Sequence, residues 1–420
     1  MEIRKKNIPE YFGSSRHEID ISKISNCANF VVKQLQSSGY EAFLVGGCVR
    51  DLILKNEPHD FDVVTDAKPR DILKIFGRKS RPIGKRFKIV HVKINNEVIE
   101  VSTFRKAPKK VRVSRVKKNF VNGDNEFGSI SDDVLRRDFT VNALYFDIKK
   151  NLVIDYLGGF QDIKRKKLSC IGPASDRFQE DPMRILRAIR FSATLKFELK
   201  NLTFDELSQH GYLLDNLSSA RLFYELEKLF LRGSASDIFN ELVDLNLVHY
   251  LFPVLNKHRT KLSNYQSSLK IIKVALQTTD KRVTMGYSVT LAFLCAVFLW
   301  NGLKMEIGQL RCEIVNESKI FEIATERIIS RQIRTTAIPR RISNIIREIW
   351  RLQFFFENPT SKSAYRLLQN NRLRAGYNFF VLRSKTELSL FQAVEWWRKF
   401  FSNALKNNEL PFPESDTYRL

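Results

Sequence analysis

The hydrophobic period changes once along these 420 residues, and that change limits the chain to a sheet-bearing first part and a helical remainder. From Ser22 to about Asp155, short β-type runs (EAFLVGG, FDVVTD, KIVHVKI, VIEVSTF, FTVNALYFD) alternate with helical stretches. Beyond about Lys166 the apolar residues recur at three- and four-residue spacing, as in RILRAIRFSATL, ARLFYELEKLFL and ISNIIREIWRLQFFF. The predicted class is α+β: a small mixed sheet with flanking helices, followed by an all-α portion. The expected segments are a basic N-terminal extension (1–21), a head (22–165), a first helical segment (166–235) and a helical body and tail (236–420). No fixed-period repeat is present, which argues against a solenoid.

A chain rich in apolar residues (43%, with 32 Phe) must bury a core and cannot be disordered throughout. Its charge is less ordinary. Seventy Lys and Arg against 46 Asp and Glu leave a formal +24, which calls for a polyanionic partner, either nucleic acid or an anionic membrane. The longest apolar run, Val289 to Trp300, is shorter than the roughly 20 residues needed to cross a bilayer, so it predicts a buried helix and no membrane partner. The start, MEIRKKNIPEYFGSS, has no apolar segment after its basic residues, so no secretory signal and a cytoplasmic location are expected. Five cysteines without zinc-ligand spacing predict reduced structural thiols.

The chemistry concentrates in the first part. FLVGGCVRD, Phe43 to Asp51, is an apolar strand, two glycines and a helix start, a turn that lets backbone approach phosphate. Arg50 adds a cation and Asp51 a carboxylate to hold it. Alone, Gly46-Gly47 is an ordinary tight turn. In PHDFDVVTD, strand alternation sends Asp60 and Asp62 to one face and Phe61 and Val63 to the other. Two neighbouring carboxylates repel unless a cation joins them, so the pair suits divalent metal of the kind phosphoryl transfer requires. A solitary Asp-X-Asp is also a common polar strand face. Glu100, within VIEVSTFR, supplies a third strand-borne carboxylate in apolar surroundings that predict a metal or cationic partner. Asp138, after Arg136 and Arg137 in RRDFTVNALYFD, is a fourth. The run KAPKKVRVSRVKK, Lys106 to Lys118, has seven basic residues in thirteen and no acidic one, and with residues up to 127 it reads as a basic loop for RNA. Further on, Asp181, Arg184 and Arg187 share one stripe of an expected helix opened by Asp181-Pro182, and such groups can read a base edge.

GGCVRD, DFDVVTDAKP, IEVSTFR, RRDFTVNAL, and DYLGG followed by RFQEDPMRILRAIRFSA resemble, in order, the motifs of the nucleotidyltransferases that include bacterial poly(A) polymerase and the CCA-adding enzymes. The resemblance implies a nucleotidyltransferase head on 22–165, a neck on 166–235 and an RNA-binding body beyond. It implies Asp60 and Asp62 as the catalytic, metal-binding pair, with Asp138 completing the site or contacting ribose and Glu100 in support. It further implies that Gly46, Gly47, Arg50, Asp51, Arg105 and Arg137 bind the nucleotide, with Asp181, Arg184 and Arg187 selecting the base. Mg2+ and ATP would be the cofactor and substrate, RNA 3′ ends the acceptor, and RNA-decay proteins candidate partners.

Within the family, IGKRFKIVHV (Ile83 to Val92) and the late segments AIPRRISNIIREIWRLQ, RLRAGYNFFVLRSKTEL and AVEWWRKF resemble the poly(A)-adding branch. The sequence ends at Leu420 without the long basic tail some relatives carry, so RNA grip is expected from the helical body and the basic loop. The expected function is template-independent polyadenylation with release of pyrophosphate. CCA addition to tRNA is the alternative, and a non-enzymatic RNA-binding protein on the same scaffold the second. Trp396 and Trp397 read as core rather than as base-stacking residues.

Overall fold

The computed structural model describes residues 8–83, 89–106, 126–200, 202–256, 258 and 261–406. Most of the expected basic loop, and residues 84–88 of the Ile83–Val92 segment, lie outside the described residues. The chain divides into two compact units, Met1–Asn216 and Leu217–Leu420.

The first unit is built on an eight-stranded mixed sheet, larger than the alternating runs indicate. Its strands are β1 (Glu10–Phe12), β2 (Ala42–Val45), β3 (Asp62–Thr65), β4 (Ser80–Ile83), β5 (Ile89–Ile94), β6 (Glu97–Thr103), β7 (Leu144–Asp147) and β8 (Leu152–Asp155). They lie in the order β1-β8-β7-β2-β3-β6-β5-β4. Among the described residues of this sheet, only β3 and β6 pair in parallel, with Asp62 opposite Glu100. Strand β2, AFLV, is buried at every position, as a central strand covered on both faces must be.

Three strands escape the sequence pattern. β1 lies inside the expected basic extension, where its three residues give no periodic signal. It pairs with β8, and Phe12, 1% exposed, stacks on Phe160 with ring centroids 4.2 Å apart. β4, SRPI, carries a proline and is exposed at two consecutive positions, and β8, LVID, is buried at three consecutive positions, so neither alternates.

The turn after β8 sets the spacing of the first unit. Asp155 accepts hydrogen bonds from the backbone N–H groups of Leu157, Gly158 and Phe160, closing DYLGG on itself before the helix Gly159–Lys164. That helix approaches the Thr140–Asn142 turn so closely that a Cβ on Gly159 would lie 2.2 Å from the Thr140 carbonyl oxygen. Backbone cannot move aside as a side chain can. Gly159→Ala is therefore expected to lose about 1–3 kcal/mol of unfolding free energy, measurable by urea denaturation.

The boundary between the two units, Asn216/Leu217, falls inside the expected neck segment 166–235. The segment's helices Ala174–Glu180 and Met183–Leu195 belong to the sheet-bearing unit, because arginines on them bond into the segment around Arg136 to Asp138. The helix Ser219–Phe230 belongs to the second unit.

That second unit is helical throughout its described residues. Its apolar helix runs from Leu291 to Leu310, longer than the apolar run indicates, and its mean hydropathy of 1.4 over an 18-residue window would suit a bilayer. Its burial is that of a core helix: Leu294, Cys295, Val297, Phe298 and Leu299 are each at most 1% exposed, and Trp350 donates its indole N–H to the Ala296 carbonyl at 2.9 Å. Trp397 is fully buried and donates to the Phe356 carbonyl, while the half-buried Trp396 packs on Phe400. Both tryptophans are core residues. All five cysteines are free thiols.

Candidate active site

Across the entry to β3 the burial alternates as the sequence indicates. Asp60 and Asp62 are exposed, while Phe61 and Val63 are buried beneath them. Across the parallel pair, Glu100 of β6 sits in register with Asp62 and so presents its side chain on the same face. Glu100 is not enclosed in apolar surroundings as expected: its side chain is 46% exposed and faces His91 at 3.9 Å. The reason is that β6 buries its odd positions, Ile99, Val101 and Thr103, and turns Glu100 to the opposite face.

The Gly46-Gly47 turn ends β2, next to β3 in the sheet. Gly46 takes φ +80°, opens the helix Gly47–Ile53, and no side chain caps that helix start. Cys48, in its first turn, is buried beside Asp62. Burial, reinforced by the Asp62 charge, pushes its thiol up to about 12. The glycine turn and the acidic pair thus meet at one edge.

Arg137 closes over the turn, its guanidinium 3.4 Å from where a Gly46 Cβ would be. It is positioned by Asp133, a residue that motif reading missed. Asp133 is fully buried and accepts from Arg136 Nε (2.7 Å), Arg137 Nε and Nη2 (3.0 and 2.9 Å) and the Tyr145 hydroxyl (2.9 Å). Burial pushes its carboxyl up, but Arg137 and Arg136 outweigh that and hold it below the usual carboxylate range. Its i, i+3 and i, i+4 spacing to those arginines was the available signal. Arg105 joins the cluster. It is 7% exposed, and burial together with the Arg136 charge lowers it to about 10.

Arg50 faces inward. Its guanidinium binds Asp51 (2.7 Å) and the Asn142 side chain (2.6 Å) and lies over Phe191, 5.0 Å from the ring centroid. Arg50 and Asp51 therefore brace the glycine helix rather than present a cation at its mouth. Asn142 passes the link on, donating to Asp138 Oδ1 at 3.2 Å.

Asp138 is also occupied by protein. Oδ1 accepts from the Phe139 N–H as well, and Oδ2 accepts from Arg187 Nε at 2.7 Å. Burial works against its charge, yet Arg187 and these hydrogen bonds hold it at about 2. A carboxyl depressed in the fold stabilises above its ordinary value near 3.8, and that stabilisation is lost as pH falls toward about 2. Wild type should exceed Asp138→Asn by roughly 2 kcal/mol near neutrality, and the gap should close between about pH 4 and pH 2, as urea titrations would show.

Of the expected base-reading stripe, Arg187 is held by Asp138 with its side chain 34% exposed. Arg184 is more committed, donating to the Arg177 and Arg136 carbonyls and to Glu180. Asp181 is half-buried and accepts from the Met183 N–H at 3.2 Å, one residue before the N-cap position, which Pro182 occupies. Among the described residues no three His, Cys, Asp or Glu side chains gather to hold an ion. The acids present are an exposed pair at the start of β3 with one neighbour across the parallel register.

An acidic pair on a mixed sheet, beside a glycine turn roofed by arginine, is the build of a nucleotidyltransferase head. Residues 42–169 match the poly A polymerase head domain, 196–258 the probable RNA and SrmB-binding site of polymerase A, and 315–416 the polymerase A arginine-rich C-terminus. The chain belongs to the bacterial poly(A) polymerase family. Poly(A) polymerase I of Haemophilus influenzae is 35% identical, with 97% of this chain and 93% of that protein covered. A CCA-adding enzyme of Streptococcus uberis is 37% identical over 87% of this chain and 92% of its own length. Among solved structures, the Bacillus stearothermophilus CCA-adding enzyme in complex with CTP shares the fold at a TM-score of 0.61 and 24% identity, covering 90% of this chain and 82% of that one.

Proposed function

We propose that this enzyme extends RNA 3′ ends with adenylate from ATP, without a template, and that it does so in the cytoplasm. The observation carrying this is the exposed Asp60 and Asp62 pair beside a glycine turn that Asp133 and Arg137 roof with fixed positive charge. The reaction joins the α-phosphorus of ATP to the RNA 3′ oxygen and breaks the bond to pyrophosphate, while the hydroxyl proton passes to solvent. Charge builds on the polyphosphate as that bond breaks. Arg137 answers it with donors already oriented by the buried Asp133 and Tyr145, and Arg105 adds a further cation beside them.

Asp60 and Asp62 offer hard oxygen donors that fit Mg2+, which takes one or two carboxylates and completes its shell with water and substrate phosphate. When bound, the metal supplies activation of the attacking hydroxyl and neutralisation of the leaving group. Glu100 lowers the local potential and so favours that cation. Gly46 and Gly47 admit the polyphosphate to the backbone, and Arg50 and Asp51 keep the turn in place. Asp138 is a positioning residue that aims Arg187, and Arg187 with Asp181 reads the base while Arg184 fixes the helix that carries Arg187. Residues 22–165 are the head, 166–235 the neck, and 236–420 the RNA-binding body. The match on 196–258 supports RNA and SrmB contact there, and the broader set of RNA-decay partners rests on that support.

Each triphosphate supplied singly with a generic RNA tests the proposal. Long ladders with ATP are expected. A defined short addition, confined to tRNA lacking its terminus, would assign the chain to CCA addition instead.

A further inference from the structure

Phe191 carries no charge, yet three charged groups gather on it. It belongs to the helix Met183–Leu195, is 7% exposed, and packs in a T-shaped arrangement on Phe139 with ring centroids 5.9 Å apart. Over its ring lie the guanidinium groups of Arg190, 4.4 Å from the centroid, Arg50 at 5.0 Å and Arg187 at 5.5 Å. Arg187 precedes Phe191 by four residues, so the helix itself sets one against the other. Arg50 reaches the same ring from the helix Gly47–Ile53, which the glycine turn opens.

These contacts close a circuit. Arg50 donates to the Asn142 side chain, Asn142 donates to Asp138, and Asp138 accepts from Arg187. Phe191 joins Arg187 back to Arg50 through its ring. The polar half of the circuit fixes the direction of each hydrogen bond, but a guanidinium can still swing about such a bond. A ring against it opposes that swing, because the cation gains only while it stays over the negative face. Burial of the ring strengthens the attraction, since little water competes for it.

We infer that Phe191 is a positioning residue that sets the reach of Arg187 toward the incoming base, and so contributes to the choice of adenine, while tying that reach to the helix behind the glycine turn. The inference rests on the reading that Arg187 selects the base. Adenine offers an acceptor nitrogen on its pairing edge where guanine, a base of similar size, offers an N–H. A guanidinium held still meets the acceptor and opposes the N–H, whereas one free to swing tolerates both.

The ratio of kcat/KM for ATP to that for GTP, measured on single-nucleotide extension of an RNA primer by the full-length protein, tests the inference. Phe191→Leu keeps the position apolar but removes the ring face, and should lower the ratio about tenfold, chiefly through a higher KM for ATP and weaker rejection of GTP. Phe191→Tyr keeps the face and should hold the ratio within about twofold. Phenylalanines with one, two or three ring fluorines, incorporated at position 191, keep the shape while draining negative charge from the face. The ratio should fall stepwise along that series, which decides the matter even if Phe191→Leu misfolds. A purely structural role would slow both triphosphates alike, and an unchanged ratio across the fluorinated series overturns the inference. Arg187→Ala, measured beside them, separates the two readings. If it collapses the ratio and the Phe191 series does not, base reading by Arg187 stands and Phe191 has no part in it. If it leaves the ratio intact, base reading by Arg187 fails, and the role of Phe191 fails with it.

Discussion

Replacing both Asp60 and Asp62 with alanine is expected to reduce nucleotide addition at least about a thousandfold, because on the proposed reading the two exposed carboxylates would hold the divalent ion at the reacting phosphate. Stability should barely change, within about 0.5 kcal/mol, since neither side chain is buried. RNA affinity should persist as well, being carried by a chain with an excess of 24 positive charges. Single-turnover extension of an RNA primer, read beside filter binding of the same RNA, separates the effects. Extension surviving at more than a few per cent would place the reacting centre elsewhere.

Asp133→Asn should act in the opposite manner, through the fold first and the chemistry second. Its carboxylate is fully buried and holds two arginines and the Tyr145 hydroxyl, with Arg105 close by. Removing the charge strands three guanidinium groups in a low-dielectric setting. Loss of one partner of such a buried pair costs about 3–5 kcal/mol, which denaturant titration would register. Because Arg137 is then no longer pinned above Gly46, the KM for ATP should rise in whatever fraction remains folded. Tyr145→Phe removes a single hydrogen bond from the same carboxylate and should cost only about 1 kcal/mol. If Asp133→Asn were as mild as Tyr145→Phe, the arginines would not depend on it.

Much of the site could be read along the chain because each part of it is local. Strand alternation alone places Asp60 and Asp62 on one face, and a Gly-Gly after an apolar strand alone marks the turn. Glu100 shows where locality fails. Apolar neighbours in sequence suggested burial, but on a strand those neighbours point to the other face, and the parallel register with β3 is what brings Glu100 beside Asp62. Arg50 and Asp138 show the same dependence on the fold. Each carries the charge a nucleotide site wants, and each is claimed by a partner distant in sequence, Asn142 for the one and Arg187 for the other.

The amino-acid order by itself determined the division into sheet and helices, the acidic pair, the glycine turn and the family, since all of these are written in short-range period and motif. Only the tertiary structure decided which charges stand exposed and which are tied to one another. It also decided that the helices Ala174–Glu180 and Met183–Leu195 join the sheet-bearing unit. A side chain's partner depends on distances across the fold, and burial makes an unpaired charge too costly to leave, so pairing is settled only when the packing is.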